Sequence, residues 1–202
     1  MRDGPVFLFD LGGVLVQASG LATLKELLPH LERAEILARW HDSEAVGLFE
    51  RGSIGPEAFA RAFTAEWQLH LSPKKFLALF ASWVQGFYPG AKDLLRNLRA
   101  RHTVACLSNT NATHWAKLAE VQEHFHVCVA SHLIGCMKPE LVAYERALQE
   151  IDSSPGDLCF FYDQMPNVLA ARAIGMKAFH VVGLSATVTA IHNAGIRTDE
   201  YA

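Results

Sequence analysis

Residues 6–15 read Val6-Phe7-Leu8-Phe9-Asp10-Leu11-Gly12-Gly13-Val14-Leu15, an apolar run that stops on a carboxylate followed by two glycines. Four apolar residues bounded this way predict a short buried strand. Asp10 interrupts the run too early for a membrane span or the apolar segment of a signal peptide, and Met1-Arg2-Asp3-Gly4-Pro5 before it is polar. A strand ending on an acid delivers that acid to the rim of a sheet. Gly12 and Gly13 then let the main chain approach a bound anion where a Cβ would collide.

Downstream, apolar residues recur at three- and four-residue spacing through 21–37, 56–67 and 73–83, which predicts an all-helical block. Gly52-Ser53-Ile54-Gly55-Pro56 and Ser72-Pro73 punctuate the block, and Tyr88-Pro89-Gly90 closes it. Beyond it, helices over 91–101, 139–150 and 166–174 are interspersed with strands over 103–107, 126–130, 158–162 and 178–182. The expected fold is α/β: a Rossmann-like parallel sheet core with a small all-helical cap inserted after the first strand. The core takes 1–15 and 88–202, and the cap takes 16–87. No internal repeat, low-complexity tract or charge run interrupts the pattern.

Half of the 202 residues are apolar, enough for one good core and a smaller inserted unit. A net charge of −3 gives no basic field with which to hold a nucleic-acid backbone or an anionic membrane, so neither is expected as a partner. Cys106, Cys128, Cys136 and Cys159 stand singly without a CxxC pair and read as reduced thiols of a cytoplasmic protein. The ten histidines lack HxxxH or HExxH spacing, which argues against a transition-metal centre. Trp40, Trp67, Trp83 and Trp115 read as packing, as do Phe49, Phe59, Phe63, Phe76 and Phe80 at helical spacing.

In a parallel sheet, ligands gather at the carboxyl ends of the strands. Those ends carry Asp10, then Ser108-Asn109-Thr110, then Lys138 and finally Asp163. Carboxylates offer the oxygen ligands that Mg²⁺ prefers, while a lysine and backbone amides neutralise phosphate oxygens. Singly, each has a plainer reading. Asp10 could be a turn former, Ser108-Asn109-Thr110 or Asp163 a helix cap, and Lys138 a solvated residue at a helix start.

Together these residues resemble the four motifs of the haloacid dehalogenase superfamily of aspartate-nucleophile hydrolases. FDLGGVL (9–15) resembles its first motif, LSNT (107–110) its second, MKPE (137–140) its third, and FFYDQMPNVLAARAIGM (160–176) its fourth with the helix that follows. The helical insert, with Glu50-Arg51-Gly52 and the later Phe87-Tyr88-Pro89-Gly90, is similar to the small cap of the subgroup that includes α-D-glucose-1-phosphate phosphatase and the phosphatase domain of soluble epoxide hydrolases. The resemblance implies that Asp10 attacks phosphorus and forms an aspartyl phosphate that water then hydrolyses. Ser108 and Lys138 would bind the transferring phosphoryl oxygens. Asp10, the main-chain carbonyl of Gly12 and Asp163 would hold Mg²⁺. Gly13 and Asn109 are expected at the substrate, with His41 and Glu44 from the cap, where Arg39 and Trp40 are further candidates.

Three positions depart from the family pattern. Gly12 stands where many family phosphatases carry a second aspartate as general acid and base, so the backbone metal contact is kept and the proton shuttle is lost. A substrate whose alcohol leaves easily, or a proton from His41, Asp42 or Glu44, would make up for it. Tyr162 replaces an acid beside Asp163, which predicts weaker Mg²⁺ binding. Gln164 and Pro166 replace smaller polar or acidic residues, whereas Asn167 fits the pattern. The expected function is Mg²⁺-dependent hydrolysis of a small phosphorylated metabolite, such as a sugar phosphate. The alternatives are a metal-independent 2-haloacid dehalogenase and a non-catalytic binding or regulatory protein.

Overall fold

The computed structural model describes residues 4–194, so Met1, Arg2 and Asp3 of the polar N-terminal stretch, and 195–202 of the expected core, lie outside the described residues. Strand β1 (Val6–Phe9) sends Phe7 and Phe9 into one apolar cluster and Val6 and Leu8 into another. Only a central strand with both faces covered has apolar residues at every position. β1 is that strand: it lies between β4 (Val104–Ser108) and β6 (Leu158–Tyr162), with β5 (Val127–Ala130) and β7 (Lys177–His180) outside them. All four pairings are parallel. One face is covered by α6 (Ala91–Arg99), α8 (Ala119–Gln122) and α12 (Gly183–Asn193), and the other by α10 (Leu141–Ile151) and α11 (Met165–Ala173). The expected α/β fold with a parallel sheet is therefore the observed one.

The chain leaves this core through β2 (Val16–Ala18) and returns through β3 (Val84–Phe87), a short antiparallel pair. Between them lie α1 (Gly20–Leu27), α2 (Arg33–Asp42), α3 (Glu44–Glu50), α4 (Pro56–Glu66) and α5 (Pro73–Ala81). Gly55-Pro56 and Ser72-Pro73 start α4 and α5 as the sequence predicts, with Ser72 capping Lys75 N–H. The phenylalanines expected to pack do so: Phe49 stacks on Phe59 at 4.4 Å, and Phe63 on Phe76 at 4.8 Å. Phe59 is fully buried, and truncating such a ring to alanine costs about 3–5 kcal/mol.

The single helix expected over 21–37 is two helices. Pro29 explains the break, because the residue before a proline is driven out of the helical region and Leu28 has φ −129 and ψ 66. The short β2–β3 pair has no counterpart in the sequence reading. Three or four residues with a register shift at Gln17/Ala18 are too few to show a two-residue period. Among the described residues no helix is long and apolar enough to cross a membrane.

Candidate active site

Asp10 follows the last residue of β1, and its N–H extends the ladder by donating to the carbonyl of Phe161 at 3.0 Å. Its side chain meets Lys138, whose Nζ donates to Asp10 Oδ1 at 2.6 Å and also to the carbonyl of Leu107. Lys138 is only 1% exposed. A buried ammonium is costly unless it is paired. Here the carboxylate, the carbonyl and the face of Tyr162, 4.1 Å from Nζ, hold it together. Burial pushes the Asp10 carboxyl up while Lys138 pulls it down, and burial pushes the Lys138 ammonium down while Asp10 pulls it up. Tyr162, the departure beside Asp163, thus supplies an aromatic face to the lysine in place of a second acid.

Asn109 at the β4 rim and Ser131 at the β5 rim fix the neighbouring loops. Asn109 Nδ2 donates to the Lys138 carbonyl at 2.8 Å, and Lys138 N–H donates to Asn109 Oδ1 at 2.9 Å. The Lys138-Pro139 peptide is cis. Ser131, first residue of α9 (Ser131–Ile134), accepts from Thr110 N–H and donates to the Thr110 carbonyl, each at 2.9 Å. Asn111, rather than the Ser108-Asn109-Thr110 triplet, caps α7 (Ala112–Lys117) by accepting from His114 N–H. That leaves the buried Ser108 hydroxyl at the end of β4 without a capping duty.

Asp163 follows β6 and is half-buried. It does not cap α11, whose N-cap is Gln164. Burial and then the charge of Asp10 push its carboxyl up to about 6, with Lys138 opposing. His180 Nε2 donates to the Asp163 carbonyl at 2.9 Å. Gly13, at φ +75, faces this acid so closely that a Cβ there would lie 2.5 Å from Asp163 Oδ2. Gly12 is its opposite: a Cβ would meet nothing within 4 Å. Asn167 is buried and its carbonyl accepts from Tyr144 Oη at 3.0 Å, holding the start of α11 to the core.

The donor set suits Mg²⁺. Among the described residues no group of three or more His, Cys, Asp or Glu side chains is arranged to hold a metal ion. Two carboxylates that repel each other, Asp10 and Asp163, stand beside the Gly12-Gly13 loop, whose main chain adds carbonyl oxygens. Hard oxygen donors few in number, leaving room for waters, match the way Mg²⁺ is usually bound.

A cavity of about 140 Å³ opens beside Gly12, lined on the core side by Leu11, Ser108, Asn109 and Leu118, and by Val16 and Trp83 from the β2–β3 end of the helical block. A larger cleft of about 620 Å³ lies elsewhere, against Gly4, Thr103 and Asp157, and contains none of these residues.

The helical block does not bring His41 and Glu44 to this centre. Both are exposed, because the buried side of α2 is carried by Ile36 and that of α3 by Ala45, Val46, Phe49 and Glu50. The block's buried acid is Glu50, which the sequence reading quoted within Glu50-Arg51-Gly52 as part of the cap likeness and did not expect at the site. Glu50 is 9% exposed, and its carboxyl is pushed up to about 7 by burial, with the charge of Asp10 adding and those of Lys138 and Arg51 opposing. Its neighbours hold the block to the core: Arg51 pairs with Glu140, and Gly52, at φ +71, leaves no room for a Cβ against the carbonyl of His132. A Glu next to an Arg whose partner lies elsewhere in the chain is a faint signal, visible only once the fold is known.

Residues 5–175 match the haloacid dehalogenase-like hydrolases. The chain belongs to this family. A haloacid dehalogenase-like hydrolase is an enzyme, and the non-catalytic alternative gives way. The chain is 30% identical over 186 residues to the sesquiterpene phosphatase AstK of Aspergillus oryzae, covering 89% of this chain and 91% of that protein. Among solved structures, a HAD-like hydrolase from Porphyromonas gingivalis superposes with a TM-score of 0.79 at 19% identity, over 96% of this chain and 98% of that one. A HAD family enzyme of Bacteroides thetaiotaomicron, in complex with magnesium and inorganic phosphate, gives 0.73 at 22% identity, over 88% and 94%. At these identities the two structures speak for the fold.

Proposed function

We propose that this haloacid dehalogenase-like hydrolase is a Mg²⁺-dependent phosphomonoesterase that works through an aspartyl phosphate, with residues 16–87 as a cap over the site. The observation that carries this reading is the meeting of Asp10, Lys138 and Asp163 at one rim of the sheet. Asp10 Oδ attacks phosphorus in line with the departing alcohol. Lys138 and the Ser108 hydroxyl take the phosphoryl oxygens, and Asn109 keeps Lys138 in register. Gly13 admits the phosphate against the main chain. Asp10, Asp163 and the Gly12 carbonyl hold Mg²⁺, which supplies positive charge against the phosphoryl group.

The cavity beside Gly12 has an apolar side of Leu11, Val16, Trp83, Val84 and Leu118, which suits an apolar alcohol, while Ser108, Asn109, Thr110 and His114 line it from the β4 rim and α7. Likeness to a sesquiterpene phosphatase supports the same choice. The carboxylate of Asp163 favours the phosphatase over the metal-independent dehalogenase, because with Lys138 already paired to Asp10 the charge of Asp10 still pushes the Asp163 carboxyl up, and a divalent cation would relieve that repulsion.

The test is phosphate release from a panel of alkyl, prenyl and sugar monophosphates with Mg²⁺, set against Asp10→Asn and against EDTA. Release that both treatments abolish, greatest for apolar alcohols, is expected. Chloride release from 2-chloropropionate in EDTA would overturn the reading.

A further inference from the structure

Gly12, Ser108 and Asn109, three residues of the proposed phosphoryl site, line the cavity beside Gly12, so a group that fills it stands next to phosphorus. The cavity holds about 140 Å³, and an apolar cavity of about 150 Å³ takes up one benzene-sized molecule. Trp83 walls it from the helical block. Its ring lies over Gly20, at the start of α1, so closely that a Cβ there would come within 2.6 Å of it. Phe80 packs against the indole at 4.9 Å and Trp40 at 5.8 Å, and the Trp83 carbonyl accepts from Ser19 N–H at 2.8 Å. The ring is thus fixed between the β2–β3 neck and the centre of the block.

His114 walls the cavity from α7, and both of its ring nitrogens are engaged. Nε2 lies 2.8 Å from the Phe80 carbonyl, which can only accept, so Nε2 carries the proton. Asn111 Oδ1 already accepts from His114 N–H, which turns the amide nitrogen toward Nδ1, at 3.3 Å, as its donor. Phe80 stacks on the imidazole at 4.1 Å. The histidine is therefore neutral and meets the cavity as an apolar surface. Burial, which holds its ring below the usual histidine range, acts in the same direction. The Asn109 amide is likewise engaged, by the Lys138 main chain.

We propose that Trp83 and His114 are specificity-determining residues for the leaving alcohol, selecting an apolar group of which about six carbons enter the cavity; this rests on the phosphatase reading above. A longer chain places its first carbons there and gains nothing from the rest. A sugar entering the cavity gives up water around its hydroxyls for two rings and the aliphatic side chains of Leu11, Val16, Val84 and Leu118, which cannot replace those hydrogen bonds.

The experiment measures kcat/KM for n-alkyl phosphates from ethyl to decyl. Each methylene that enters the cavity should raise the value about fourfold, up to about six carbons, with a plateau beyond. Trp83→Ala widens the cavity and should carry the rise on by about two further carbons, and Trp83→Phe, which keeps a ring in the block, by about one. His114→Gln keeps a donor for the Phe80 carbonyl but brings an amide oxygen to the wall, and should lower the hexyl-to-ethyl ratio by about tenfold. Turnover with no rise along the wild-type series, or a rise and plateau that Trp83→Phe and His114→Gln leave unaltered, overturns this inference alone. Absence of Asp10-dependent turnover of every ester in the series overturns the phosphatase reading and this inference with it.

Discussion

Asn109 and Lys138 hold each other by amides in both directions: Asn109 Nδ2 donates to the Lys138 carbonyl at 2.8 Å, and its Oδ1 accepts from Lys138 N–H at 2.9 Å. One side chain therefore fixes the backbone from which the buried ammonium extends. Asn109→Ala should cost about 1–3 kcal/mol in stability through the unpaired amide groups. It should lower kcat by up to about 10²-fold with a smaller change in KM, because it displaces the lysine proposed to act on the phosphoryl oxygens. Urea unfolding and steady-state kinetics on one ester check both.

Lys138→Met removes the charge partner of a buried acid. Breaking such a pair costs about 3–5 kcal/mol. Asp10→Asn in the same chain should return much of that loss, since an amide at this position needs no cation. A double-mutant cycle in urea that gave strictly additive losses would contradict the pairing.

The two glycines of the Asp10 loop should respond in opposite ways. Gly13→Ala places a Cβ 2.5 Å from Asp163 Oδ2 at a positive φ, so at least about 1–2 kcal/mol of stability and nearly all activity should go. Gly12→Ala meets open space and should change stability by less than about 1 kcal/mol in either direction. Parallel melts and assays of the two variants decide this.

Stability should carry the signature of Glu50. Its folded carboxyl sits at about 7, above the ordinary value of 4.5, so the folded chain binds its proton more tightly than the unfolded chain does. That contribution is complete below about 4.5 and is lost as pH rises through about 7. Glu50→Gln should therefore match the wild type near pH 5 and exceed it at pH 8, by on the order of 3 kcal/mol at one pKa unit per 1.36 kcal/mol. Urea titrations at the two pH values read the difference directly.

What the sequence disclosed, it disclosed through local pattern. Asp10, Ser108, Lys138 and Asp163 each follow an apolar strand or lie just beyond one, and a parallel sheet needs no further information to bring strand ends to one rim. Pro29 was equally local, but its effect on the helix predicted over 21–37 was outweighed by the apolar spacing around it. Glu50 was quoted for the cap likeness alone, because a glutamate at a helix end ordinarily faces water, whereas this one is buried at the end of α3, an element in contact with α9. His41 and Glu44 attracted attention because their helix leads toward the turn of the insert, and packing of Ile36, Ala45 and Val46 turned them outward. Tyr162 was read as a missing charge. Its face toward Lys138 depends on a tertiary contact that no spacing rule contains.

The helical block keeps an apolar centre of its own, and none of its buried members belongs to either cluster that sandwiches the sheet. Substitutions that reshape the block are thus insulated from the scaffold beneath the nucleophile. Under the proposed phosphatase reading, drift toward new leaving groups can proceed on one side of the β2–β3 neck while Asp10, Lys138 and Asp163 on the other side are inherited intact.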